Sequence, residues 1–70
     1  MMPLSMVNAG EKKNIIKVTG KDETRKFLEN LGFVEGSEVT VVSEIAGNLI
    51  VNIKESRVAI DRSMANRIMV

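Results

Sequence analysis

The sequence predicts a mainly β protein, a small barrel of five to six antiparallel strands with one inserted α-helix at about 22–31 and a short helical turn near 63–66. Three observations point there. Short β-branched runs recur along the chain between Gly and Asn turn signals, only one segment carries helical spacing, and the second half holds two closely spaced hairpin signals. Consecutive hairpins make an antiparallel meander, and a doubly wound parallel sheet would need alternating helices and strands. Seventy residues form one domain, 1–70, whose meander hides its apolar face by curling, with the helix over one end.

Leu4 and Met6 alternate before the turn signal Asn8-Ala9-Gly10, which predicts a short opening strand. Ile15 to Thr19 is β-branched and ends at Gly20, with Ile16 and Val18 expected on one face and Ile15, Lys17 and Thr19 on the other. Asp22 is the expected N-cap of the helix, and Glu23 in its first turn suits the helix dipole. Thr24, Phe27, Leu28 and Leu31 fall at helical spacing and read as one core-facing stripe. Gly32 stands where a left-handed C′ residue is wanted, and Phe33 at C″ is placed to touch Leu28.

Beyond Gly36 the chain is β to its end. Val39 and Val41 share a face of one strand, and Ala46-Gly47-Asn48 makes the first hairpin turn. Leu49, Val51 and Ile53 alternate with Ile50, Asn52 and Lys54. A second turn near Glu55-Ser56 leads to a strand with Val58 and Ile60 inward. Ser63 is the expected cap of a helical turn through Asn66, and residues 67–70 close as a last strand.

Composition excludes several functions. The chain has neither Cys nor His, so disulfides, the common zinc ligands and the usual nucleophile–base pairs are missing. Gly32 to Gly36 is followed by Ser37-Glu38, not by the Lys-Ser/Thr of a phosphate loop. The chain therefore reads as a binding module and not an enzyme. Two Phe without Trp or Tyr supply neither a groove for Pro-rich peptides nor stacking platforms for single strands. Ten basic residues against nine acidic give a net charge of +1; six of the ten lie between Lys12 and Lys26, too few for nucleic-acid binding. No basic n-region and no run of 18 apolar residues occurs, so a cytoplasmic chain without membrane insertion is expected. Cofactors are not expected, since the carboxylates lack imidazole partners to complete a tight metal site.

The run Leu31-Gly32-Phe33-Val34-Glu35-Gly36-Ser37-Glu38-Val39 resembles the helix-end signature of the FeoA family, components of bacterial ferrous iron uptake. Leu4 to Gly10 looks like the family's opening, and Val58 to Val70, with Ala65, Arg67 and Ile68-Met69-Val70, looks like its ending. The resemblance implies an SH3-like barrel, related to the C-terminal domain of diphtheria-toxin-repressor-type regulators. It also implies an accessory role as a protein–protein interaction module on the FeoB-type GTPase transporter. The alternative is a free-standing, metal-responsive regulatory barrel. Because the family concerns iron, the resemblance also implies that any metal is a weak ferrous or other divalent ion at a site completed by a partner. Asp22, Leu28, Leu31, Gly32 and Gly36 are then structural residues of the motif. Arg25, Lys26 and Glu29 on the helix, with Phe33 and Glu35 after it, form the candidate partner-binding set.

Overall fold

A computed structural model describes residues 1–70. Its strands are β1 (Lys12–Asn14), β2 (Lys17–Val18), β3 (Glu38–Ile45), β4 (Asn48–Ile53), β5 (Ser56–Asp61) and β6 (Ile68–Met69). Helix α1 spans Glu23–Leu31 and α2 spans Arg62–Ala65. One antiparallel sheet runs in the order β1-β3-β4-β5 and a second pairs β2 with β6, so the expected mainly β architecture of five to six antiparallel strands is present, with β1 a strand that residue patterns do not predict. Strand alternation builds the core: Val39 and Val41 from β3, Leu49, Val51 and Ile53 from β4, and Ile60 from β5 all point inward and are buried. No polar side chain is buried among them, so apolar packing alone holds the interior.

The opening strand is a correction. Leu4–Met6 is a single 3-10 turn, and the buried pair is Leu4 with Val7, three residues apart, while Met6 points to solvent. That spacing is the 3-10 period, and it overrides the two-residue alternation of Leu4 and Met6. The extended chain before the turn does pair: Pro3 bridges Met69, and Met2 and Val70 exchange backbone hydrogen bonds at 2.8 Å each.

The predicted strand from Ile15 to Thr19 is also corrected. The chain changes sheets there: the Ile15 N–H donates to Ser37 O on the β3 side, and the Ile16 N–H donates to Met69 O in β6. Turning between two sheets breaks the alternation, so Ile15 and Val18 are buried and Ile16 faces outward.

Helix α1 begins and ends as its residues dictate. Asp22 accepts a hydrogen bond from the Arg25 N–H at 3.3 Å, the expected N-cap. At the other end Gly32 is left-handed at φ 112°, its N–H bonds Glu29 O at 3.0 Å, and the Phe33 N–H bonds Leu28 O at 3.1 Å. These two bonds make the Schellman motif, and Leu28 and Phe33 are both fully buried. A Cβ on Gly32 would also come within 2.8 Å of Lys54 Cγ. The apolar stripe is narrower than its spacing suggests. Leu28 alone is fully buried, Thr24 and Leu31 are half-buried, and Phe27 is 50% exposed. Phe27 sits about 100° around the helix from Leu28, at the edge of what a single short helix can press against a sheet.

Both hairpins have two-residue turns. Ile45 pairs with Asn48 around Ala46 (φ 52°) and Gly47 (φ 84°), so Asn48 belongs to β4 and not to the turn. Positive φ at both central residues is the twist that matches hairpin strands. Ile53 pairs with Ser56 around Lys54-Glu55. The cap of α2 is corrected as well: Asp61, not Ser63, accepts the Met64 N–H, at 2.8 Å, and Ser63 donates its hydroxyl to the same carboxylate oxygen at 2.7 Å.

Candidate functional site

A groove of about 270 Å³ runs between β2 and α1. It exists because the chain bends at Ile15-Ile16, which turns Ile16 outward, and because the Schellman turn throws Val34 out immediately after Phe33. Ile16, Val18, Phe33 and Val34 give the groove its apolar lining; Lys17, Arg25, Glu29 and Glu35 line it with charge. Arg25 and Glu29 stand one helical turn apart and pair at 3.4 Å, while Arg25 Nη1 donates to Gly20 O at 3.0 Å. The guanidinium is thereby held along one wall of the groove.

Four of the five expected partner-binding residues meet here: Arg25, Glu29, Phe33 and Glu35. Lys26 does not. It points away from the groove and pairs with Glu23 at 3.8 Å on the open face of α1. Phe33 needs a second correction, because with 0% of its surface exposed it serves the groove as packing beneath and offers no protruding anchor. The exposed aromatic is Phe27, on the opposite flank of the helix. Ile16, Lys17, Val18 and Val34 were missed by sequence reasoning. The signal available for Val34 was adjacency, since two successive apolar residues at a helix end cannot both enter the core.

Behind the groove, Arg67 reaches the N-cap of α1 and binds both Asp22 oxygens, Nη1 to Oδ1 at 2.6 Å and Nη2 to Oδ2 at 3.0 Å. Gly20 leaves room for this, since a Cβ there would lie 2.6 Å from Arg67 Nη1. The bond from Arg67 holds the Asp22 carboxyl below its ordinary range, helped by the Arg25 N–H, and Asp22 in turn raises Arg67. Asp61 is likewise lowered, by the Met64 N–H first and the Ser63 hydroxyl second. Both shifted acids are caps, not members of the groove.

Carboxylates do not converge on a metal site: no three His, Cys, Asp or Glu side chains come together. Glu29 and Glu35 line the groove but supply only oxygen donors, too few to enclose an ion. No helix is long and apolar enough to cross a membrane.

The comparisons with known proteins agree with this geometry. A family model described as the FeoA domain matches residues 2–70. Among solved structures, the chain is similar to FeoA of Stenotrophomonas maltophilia complexed with zinc, a prokaryotic SH3 domain protein offered as a candidate ferrous iron transport activating factor. That match has a TM-score of 0.88 at 28% identity, covering 99% of this chain and 88% of the other. FeoA of Chlorobium tepidum matches with a TM-score of 0.88 at 26% identity, over 97% of this chain and 67% of its own. A manganese-dependent transcriptional repressor shares the fold, with a TM-score of 0.84 at 20% identity over 94% of this chain and 38% of the repressor. No curated protein sequence matches the chain. The family match over nearly the whole length and the SH3-like barrel lead to one conclusion: this chain belongs to the FeoA family, associated with ferrous iron transport.

Proposed function

We propose that this protein is a non-enzymatic, cytoplasmic interaction module that docks on the GTPase region of a FeoB-type ferrous iron transporter through the groove between β2 and α1. The observation that carries this reading is the pairing, in one groove, of outward apolar side chains, Ile16 and Val34, with a fixed Arg25–Glu29 pair. Apolar contact desolvates such a surface and the charged groups fix orientation, which is the anatomy of a small transient interface. Family membership supplies the transport context, and the description of the Stenotrophomonas relative as an activating factor supports an accessory role. A divalent ion, if one is held at Glu29 and Glu35, takes its remaining ligands from the partner.

Binding to detergent-solubilised transporter and to its isolated GTPase region is the test, with and without nucleotide and ferrous ion. Val34→Glu and Ile16→Glu place a charge in the groove on exposed positions, so the barrel folds and affinity falls at least tenfold. Absence of association with full-length transporter under every condition overturns the reading. Micromolar binding of ferrous or manganous ion to the isolated chain would favour a metal-responsive regulatory barrel instead.

A further inference from the structure

The four-stranded sheet has two free edges, and they differ. At one, β1 is three residues long and carries Lys12 and Lys13, short and charged in the way that discourages edge-to-edge pairing. At the other, β5 is six residues long, without Lys, Pro or a bulge, and pairs only with β4. The two-residue turn makes Ile53 and Ser56 the first hydrogen-bonded pair of the hairpin. Alternation then aims the N–H and C=O groups of Ser56, Val58 and Ile60 at β4, and those of Arg57, Ala59 and Asp61 outward. No loop or cap bonds to the backbone of Arg57 or Ala59.

The side chains of this edge are complementary to themselves. We propose that β5 pairs antiparallel with β5 of a second copy of this chain across a two-fold axis at Ala59, joining the two four-stranded sheets into one of eight strands. In that register Ala59 faces the partner's Ala59, and Arg57 faces the partner's Asp61 on both sides of the axis. The outward backbone groups meet as hydrogen-bonded pairs. The charged groups that would meet still have free atoms. Arg57 uses Nε on Asn52 Oδ1 at 3.1 Å, leaving both terminal nitrogens, and Asp61 caps α2 through Oδ1 alone, leaving Oδ2. On the inner face, half-buried Val58 lies opposite the partner's Ile60 and loses its remaining exposure. A one-residue slip would face Arg57 with the partner's Ile60 and turn the self-complementary charges apart, so the register is specified.

Sedimentation velocity on the full chain tests this. The wild type is expected to move from a species of 7.7 kDa towards one of twice that mass as concentration rises from micromolar to near-millimolar, and less so at high salt. Ala59 is exposed, so Ala59→Glu and Ala59→Lys keep the fold, checked by circular dichroism, and set like charges face to face at the axis. Each variant alone is monomeric throughout; mixed in equal amounts, they restore the dimer as a heterodimer. A wild type that stays monomeric near millimolar overturns the proposal, as do variants that dimerise like the wild type. Monomeric variants that fail to associate when mixed overturn the two-fold register. Since β5 shares no residue with the groove, transporter binding is a separate readout and survives the loss of self-association.

Discussion

Arg67 grips Asp22 through two parallel hydrogen bonds and so ties the start of helix α1 to the segment that leads into β6, 45 residues later in the chain. The Thr19 N–H also donates to Arg67 O at 2.8 Å, so β2, the helix cap and the chain end meet at one residue. The wall of the groove stands on this junction.

That junction predicts an acid-sensitive contribution to stability. The folded Asp22 carboxyl titrates below its ordinary value of 3.8, so its contribution is complete above that value and fades as pH falls through the folded one. Asp22→Asn keeps a good N-cap and removes the charge. Its urea midpoint is expected below wild type near neutrality, with the gap closing as pH drops from about 5 to about 2. A gap that stays constant with pH would refute the ion pair as its cause. Solvent around this exposed pair keeps the effect modest.

The two phenylalanines are expected to behave in opposite ways. Phe33→Ala empties a fully buried site and should cost about 3–5 kcal/mol in urea unfolding, most of the margin of so small a domain. Phe27→Ala touches a half-exposed ring and should cost less than about 1 kcal/mol. Equal losses would contradict the helix orientation.

Gly32→Ala forces a side chain into a left-handed residue and against Lys54 Cγ. A loss of about 1–2 kcal/mol is expected, since the backbone conformation itself is penalised and Lys54 is flexible enough to move aside. Thermal unfolding measures it.

Ala46 is the converse case, a non-glycine residue at φ 52° in the first hairpin turn. Replacing it with Asn, which tolerates that conformation, should stabilise the fold by about 0.5–1 kcal/mol and leave the groove unchanged. A lower midpoint for Ala46→Asn would show that this turn requires alanine for some other contact.

Most of the barrel was legible from residue patterns. Val39 and Val41, Leu49, Val51 and Ile53, and Val58 and Ile60 alternate as their strands do, because a pleated strand must put every second side chain on one side. The Asp22 cap and the Leu28–Gly32–Phe33 helix end were equally readable, because their hydrogen bonds close within a few residues. What failed were positions ruled by distant partners. The bend at Ile15-Ile16 depends on Ser37 and Met69, and the turn at Leu4–Met6 follows Met2 pairing with Val70.

For the candidate site, four of five residues could be gathered from the helix end, and its other half could not. The residue types, the Schellman turn, the strand faces and the want of catalytic groups were determined by the sequence by itself, since each rests on contacts within a few residues or on composition. Only the tertiary structure decided that Ile16 and Val34 face one groove, that Phe33 lies beneath it, and that Arg67 braces its helix. These follow from where two sheets cross, and no local spacing in a chain records the side on which a distant strand will arrive.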